Sequence, residues 1–166
     1  MDIKNTVISL SEISGASGDE SRAALLARDL LREYCPDAEI VSGNVVGTFG
    51  EQREGLPLLV LDAHIDQVGM IVTYITDDGF VKVGNLGGLD RRLLPAQAVT
   101  IHGKKDISGV ICSVPPHLSG GSGEVLQMDD ISVDTGMTKE ELEEIVSFGD
   151  SITFDVLIGS RQFADS

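Results

Sequence analysis

His64 and Asp66 are the two residues of this sequence whose types and spacing best fit metal chemistry. Residues two apart in an extended strand point to the same face, so both side chains would share one surface. A neutral imidazole binds a divalent metal through one ring nitrogen, and a nearby carboxylate accepts the proton of the other nitrogen. A His-x-Asp pair also arises by chance, so alone it is a weak signal. The surrounding sequence decides between these interpretations.

A buried strand is predicted immediately before this pair. Residues 58–61 form a continuous apolar run, Leu-Leu-Val-Leu, which is typical of a strand covered on both faces in an α/β sheet. Open α/β sheets bind their ligands at the carboxyl ends of such strands. His64 and Asp66 follow the run at that position.

Two helices are predicted ahead of the strand. Asp2 is placed to cap a helix that starts at Ile3, and Ser17 with Glu20 fits a capping box for a second helix. The second helix carries an apolar stripe formed by Ala23, Leu26, Ala27, Leu30 and Leu31.

From residue 70 onward the pattern changes to strands. Residues 70–76 and 80–83 flank the turn Asp77-Asp78-Gly79, which is typical of a hairpin. Thr138 and Glu141 fit a capping box that opens a short helix. Further strands are predicted at residues 39–41, 44–49, 98–102, 109–114 and 151–158.

The composition of the chain argues against nucleic-acid and membrane partners and indicates the cellular compartment. The formal net charge of -15 argues against nucleic acid as a partner, because phosphates would be repelled. No apolar segment is long enough to span a membrane, and the first residues do not read as a secretory signal. Cys35 and Cys112 form no CxxC pattern, which indicates a reducing compartment. We therefore expect a cytoplasmic protein without nucleic-acid or membrane partners.

The segment around His64 resembles a known metal-binding motif. Residues 62–70, Asp-Ala-His-Ile-Asp-Gln-Val-Gly-Met, are similar to the first metal-binding segment of the tetrahedral aminopeptidases, also called the glutamyl aminopeptidase family. These enzymes are co-catalytic metallopeptidases. Other stretches resemble the family in the same order, and together they cover nearly the whole chain: residues 14–20, 85–90, 115–118, 133–141 and 149–150.

The resemblance implies specific roles for the motif residues. His64 would be a metal ligand, and Asp66 the catalytic carboxylate that supports it and modulates the acidity of the metal. A complete site in the family holds two divalent ions, zinc or cobalt, and hydrolyses the N-terminal residue from a peptide substrate. His117 would fix a loop after two prolines, and His102 is expected on the surface.

The resemblance also implies what this chain lacks. The family's further metal ligands and its catalytic glutamate have no corresponding motif here. A co-catalytic site needs several ligands and a general base. We therefore expect that this chain alone does not retain the metals and is inactive, so whether it is an enzyme stays open at this point.

The predicted fold class is α/β, a partial aminopeptidase-type catalytic lobe with a small β-barrel-like inserted domain. Residues 1–69 would form the N-terminal part of the α/β lobe, residues 70–150 a β-rich oligomerisation domain, and residues 151–166 a strand that returns to the lobe and is truncated.

Three hypotheses about function follow. The first is the N-terminal half of a metal-dependent aminopeptidase whose second half is missing from this chain. The alternative is a non-catalytic assembly or regulatory relative that acts through the β-rich oligomerisation domain. A stand-alone β-barrel binding module is the third, and the buried strand predicted at residues 58–61 argues against it. Under the first two we expect a homo-oligomer or a second polypeptide that carries the missing half, because an uncovered apolar run marks an interface.

Overall fold

The computed structural model describes residues 2–51, 53–113 and 125–155. These residues divide into two compact units between Asp66 and Gln67, called here the first unit and the barrel unit. The expected combination of a helix-and-sheet lobe with a closed barrel is confirmed. The proposed domain limits at residues 69 and 150 stay a prediction.

The first unit contains two helices and one hairpin. Helix α1 spans Ile3–Glu12, α2 spans Ser21–Leu31, β1 spans Glu39–Val41 and β2 spans Asn44–Val46. Asp2 caps α1 as predicted, because its side chain accepts a hydrogen bond of 3.1 Å from the Asn5 backbone N–H. Ser42 and Gly43 turn the hairpin with positive φ angles of 50° and 83°, as a two-residue loop with the right-handed strand twist requires.

The capping box predicted at Ser17 and Glu20 is wrong. Helix α2 begins at Ser21, and its cap residue Glu20 makes no side-chain cap hydrogen bond. The Glu20 carboxylate instead accepts the Gly18 N–H at 2.6 Å, inside the loop. The Ser17 hydroxyl bonds elsewhere, at the candidate site described below.

The strand predicted at residues 58–61 is also wrong for this chain. These residues have no regular secondary structure, and their side chains are 72–89% exposed. A strand is stable only where neighbouring strands pair its backbone N–H and C=O groups. No strand that the structure describes pairs with this run.

The first unit has a core of small side chains. Its buried apolar residues in the described ranges are Ala16, Ala23, Ala24, Cys35 and Ala38. The larger side chains of the predicted α2 stripe, Leu26, Leu30 and Leu31, are only half-buried. Since apolar burial stabilises by about 25 cal/mol per Å², such small residues contribute little on their own.

The barrel unit is a closed barrel of six antiparallel strands in the order β3-β4-β7-β6-β5-β8. Its elements are β3 (Gly69–Ile75), β4 (Phe80–Leu86), β5 (Ala98–His102), β6 (Asp106–Ile111), β7 (Ser132–Asp134), α3 (Lys139–Ile145) and β8 (Ser151–Phe154). Gly79 closes the predicted β3–β4 hairpin with a φ of 81°. The expected strand-to-helix junction at residues 133–141 is present as β7 followed by α3, and the Thr138–Glu141 capping box is confirmed.

Residues 151–154 belong to the barrel. Strand β8 pairs with β3 through Ser151 and Ile152 and with β5 through residues 151–154. These four residues close the barrel, and the expected return of the segment 151–166 to the other lobe stays a prediction. Residues 156–166 lie outside the described residues, as does the segment with Pro115, Pro116 and His117.

The barrel interior is filled by the side chains of valine, isoleucine, leucine and methionine. Its fully buried side chains include Met70, Val81, Val99, Ile101, Ile111, Val133, Leu142 and Ile152. His102 was expected on the surface, and that prediction is wrong: its side chain is 5% exposed. Its Nδ1 lies 3.0 Å from Asp106 Oδ1 and its Nε2 lies 2.9 Å from Thr153 Oγ1, so strand pairing around it explains the burial.

The helices of the described residues are short. The longest helix there, α2, has 11 residues. None of the described helices has the length and apolar character that crossing a bilayer requires.

Substitution of Val133 tests whether the barrel core carries the stability of the chain. Val133→Ala removes two buried methyl groups and leaves a cavity, so we expect it to lower the free energy of unfolding by about 2 kcal/mol. The matched control is Val110→Ala on the neighbouring strand β6, where the side chain is 49% exposed and the expected change is below about 0.5 kcal/mol. Urea unfolding measures both, and equal losses would contradict the described core.

Candidate functional site

His64 and Asp66 are in direct contact. The His64 Nδ1 atom lies 3.1 Å from Asp66 Oδ1 and 3.0 Å from the Asp66 backbone oxygen. Both of these oxygens are acceptors, so Nδ1 donates, and in the neutral imidazole Nε2 keeps its lone pair. The imidazole is 85% exposed. The ring therefore has a fixed orientation and an accessible nitrogen that is able to bind a metal.

The pair comes together without a strand. Residues 61–66 have no regular secondary structure, so the strand periodicity that suggested a shared face is not the cause of the contact. In this irregular segment the Asp66 carbonyl and carboxylate both lie close to the same ring nitrogen. The contact that the sequence predicted is present, although its local geometry differs.

Ser17 completes a chain of three side chains. Its hydroxyl donates to Asp66 Oδ2, while His64 Nδ1 contacts Oδ1, so each carboxylate oxygen has a separate donor. The Ser17 hydrogen bond is the largest influence on this carboxyl, and it lowers the pKa of Asp66 below its ordinary value. The hydrogen bond and charge of His64 act in the same direction, whereas desolvation opposes them.

The loop of residues 14–20 holds Ser17 against the segment that carries the pair. Within this loop the Asp19 N–H donates to the Ala16 carbonyl at 2.8 Å. At Gly15 a Cβ atom would lie 2.8 Å from the Ala23 Cβ and 3.8 Å from the Ile65 carbonyl oxygen. A residue without a side chain is thus needed where the loop approaches α2 and residue 65.

The described residues do not complete a metal centre. Among the residues 2–51, 53–113 and 125–155, no three His, Cys, Asp or Glu side chains cluster closely enough to hold a metal ion. His64 supplies one accessible nitrogen, and both oxygens of Asp66 already accept hydrogen bonds. A co-catalytic pair of metals requires several more ligands. The described residues therefore supply part of the ligands that such a centre needs and not the complete set.

Of the other two histidines, His102 is not part of this group. His102 lies in the barrel, bonded to Asp106 and Thr153. His117 falls outside the described residues. Ser17 is the residue that sequence reasoning missed, since its local pattern with Glu20 suggested a helix cap. The available signal was its place in residues 14–20, one of the segments that resemble the aminopeptidase family.

Comparison with protein-family models identifies the chain. The model of the M42 glutamyl aminopeptidases matches residues 43–160, which is more than half of the sequence. The chain belongs to the M42 glutamyl aminopeptidase family. The matched range includes the His64–Asp66 pair and the barrel strands.

Curated relatives and solved structures agree with this membership. The chain is 32% identical over 141 residues to a lysyl aminopeptidase of Pyrococcus furiosus, covering 81% of this chain and 40% of the relative. It is 34% identical over 136 residues to a glutamyl aminopeptidase of Lactococcus lactis, covering 80% of this chain and 38% of the relative. The structure of the Pyrococcus horikoshii TET1 peptidase matches with a TM-score of 0.79 at 31% identity, covering 91% of this chain and 46% of that one.

The extent of these matches limits what they establish. The chain spans about 40% of the length of the M42 relatives that it matches in sequence. The fold and the family are shared over that region. Activity, substrate and assembly of the whole relatives belong to the proposals below.

The electrostatics of Asp66 can be measured directly. We expect Ser17→Ala and His64→Ala each to raise the pKa of the Asp66 carboxyl, because both side chains make hydrogen bonds that lower it. A pKa that is lower in the folded state means a contribution to stability that is present above the unfolded-state pKa and is lost as pH falls through the folded one. Carboxyl NMR titration gives both shifts. Ser9→Ala, whose hydroxyl bonds the Asn5 carbonyl in α1, is the control and should leave Asp66 unchanged. An unchanged Asp66 pKa in either variant would contradict the assignment of that side chain as a donor to the carboxylate.

Proposed function

We propose that this chain contributes His64 as a metal ligand, and Asp66 as its carboxylate partner, to a metal-dependent aminopeptidase site. The observation that carries the proposal is the bond from His64 Nδ1 to Asp66, which leaves an exposed Nε2. A carboxylate on the far nitrogen of an imidazole is the usual arrangement behind a metal-ligating histidine. Membership of the M42 family supports the same assignment.

The proposed substrate is a peptide with a free N-terminus, and the reaction is hydrolysis of its first peptide bond. Support comes from the names of the relatives, lysyl and glutamyl aminopeptidase. Metals in such sites lower the pKa of a bound water and polarise a carbonyl. A histidine and a carboxylate suit zinc and cobalt, which we propose as the ions of the complete two-metal site.

We further propose that the 166-residue polypeptide does not catalyse this reaction alone. His64 and Asp66 supply too few donors for two metals, and the described residues bring no third candidate to them. The missing ligands would come from a second polypeptide or from an assembly. A cytoplasmic location is part of this proposal, supported by the free thiols of Cys35 and Cys112.

The second candidate function is assembly. In this alternative the chain is a non-catalytic member of the family that pairs through the barrel unit, with itself or with other subunits. The closed barrel supports this candidate, because it is a separate folded module that could make such a contact. The similar TET1 peptidase is described as assembling into a tetrahedron or a large octahedral shell. The exposed apolar run at residues 58–61 supports association under either candidate.

Metal titration of the polypeptide tests the proposed ligand. We expect weak binding of Zn²⁺ or Co²⁺ that is lost in His64→Ala and falls by roughly 10–100-fold in Asp66→Asn, because Asp66 orients the imidazole. The matched control is Asp62→Asn, the same change at an exposed position of the same segment, which should keep the wild-type affinity. Isothermal titration calorimetry measures the affinities of the wild type and of the three variants. Unchanged binding in His64→Ala would remove the proposal.

The same metal-loaded samples test the proposed inactivity. Neither lysyl nor glutamyl anilide should be hydrolysed above the rate of metal ions in buffer. Hydrolysis that rises with protein concentration and stops on addition of a chelator would show that the polypeptide is a complete enzyme.

Light scattering tests the proposed association. We expect the 17.6 kDa chain to elute as an oligomer or with a second polypeptide, and a Leu59→Asp, Leu61→Asp double variant to shift toward the monomer. Charges in the run are incompatible with a buried apolar contact. Leu93→Asp, at a 67% exposed position of the barrel unit, is the control and should keep the wild-type mass. A sharp monomeric mass with cooperative melting of the wild type would contradict the prediction.

A further inference from the structure

The Ser17 hydroxyl belongs to a loop 49 residues away in sequence from the carboxylate that it binds. It occupies Asp66 Oδ2, the oxygen that His64 does not use. Ser17, Asp66 and His64 are thus linked by two consecutive hydrogen bonds. The Ser17 bond is partly buried, and the imidazole of His64 is exposed to solvent.

We infer that Ser17 is a positioning residue for His64: by fixing the Asp66 carboxylate, it keeps the imidazole proton on Nδ1 and the lone pair on Nε2. The inference rests on the proposed function for its purpose, because a fixed Nε2 lone pair matters to a metal. The inference gives the loop of residues 14–20 a function, which is to hold Ser17 against the Asp66 carboxylate.

The physical argument concerns rotation of the carboxylate. A carboxylate with a single partner turns about its Cβ–Cγ bond and shares either oxygen with that partner, so the hydrogen bond to His64 would lose direction. A donor on the second oxygen fixes the plane of the group, and Oδ1 then stays aimed at Nδ1. Charge-assisted hydrogen bonds to a carboxylate are stronger than neutral ones, which makes the hydroxyl an effective support.

The same bond also determines what Asp66 is free to do. With Oδ2 bound to a hydroxyl and Oδ1 bound to an imidazole N–H, neither oxygen has all its lone pairs available to an incoming metal. Asp66 is therefore held as the support of a ligand and not as a ligand itself. The packing at Gly15 keeps the loop close enough for this, since a side chain there would meet the Ala23 Cβ at 2.8 Å.

The tautomer of His64 in metal-free protein tests the inference. Long-range ¹⁵N–¹H spectra at a mildly alkaline pH distinguish a protonated Nδ1 from a protonated Nε2. We expect the wild type to hold the proton on Nδ1, Ser17→Ala to show a mixture of tautomers, and Ser17→Thr, which keeps the hydroxyl, to restore the wild-type signals. Affinity of Ser17→Ala for Co²⁺ should fall by less than the roughly 10–100-fold loss expected for removing a direct partner of a ligating histidine.

His102 is the internal reference in the same spectra. Both of its ring nitrogens are bonded within the barrel unit, to Asp106 and Thr153, so its signals should be identical in every variant and report an intact fold. Wild-type His64 signals in Ser17→Ala, with His102 unchanged, would overturn the inference. If the wild-type chain shows no His64-dependent metal binding, the proposed function fails, and the tautomer comparison still decides the role of Ser17.

Discussion

Backbone hydrogen bonding between strands is the constraint on which this molecule depends. In the barrel unit each strand from β3 to β8 has neighbours on both sides, so closure leaves few unpaired N–H and C=O groups and buries a core of valine, isoleucine, leucine and methionine. Residues 58–61 have a strand-like composition, but none of the described strands pairs with them, and they stay exposed. The same requirement therefore explains both the ordered barrel and the uncovered run, and the small side chains buried in the first unit are consistent with a lobe that lacks part of its cover.

At the candidate site the Asp66 carboxylate is the group that both hydrogen bonds share. It receives one hydrogen bond from a loop near the N-terminus and one from the imidazole two residues before it. This sharing explains why its pKa lies below the ordinary value although desolvation acts to raise it: two donors stabilise the charged form. The pair is ordered without a strand, so its geometry comes from the local segment and from the Ser17 loop. What it cannot supply is the number of ligands.

Sequence reasoning succeeded where the deciding interactions are local or repeated. The caps at Asp2 and Thr138 and the turn at Gly79 depend on neighbours a few residues away, and the predicted positions agree with the structure. Ser17 was misassigned because its local pattern with Glu20 fits a helix cap, whereas its real partner is Asp66. His102 was misplaced for the same reason: its burial comes from strands β6 and β8, which sequence proximity to Gly103 and Lys104 does not reveal.

The uncovered run and the ligand pair lie in one continuous segment, and this connects the two candidate functions. Residues 58–61 lead to His64 with only two residues between them. Any strand that pairs with the run would fix the backbone just before the imidazole and would exclude water from one side of it. Under the proposed function, covering the run and completing the metal site would be coupled steps. A partner that only covers the run would order His64 without adding ligands, whereas one that also presents carboxylates or imidazoles near Nε2 would make a metal centre. Assembly would then be a precondition of catalysis and not a rival to it.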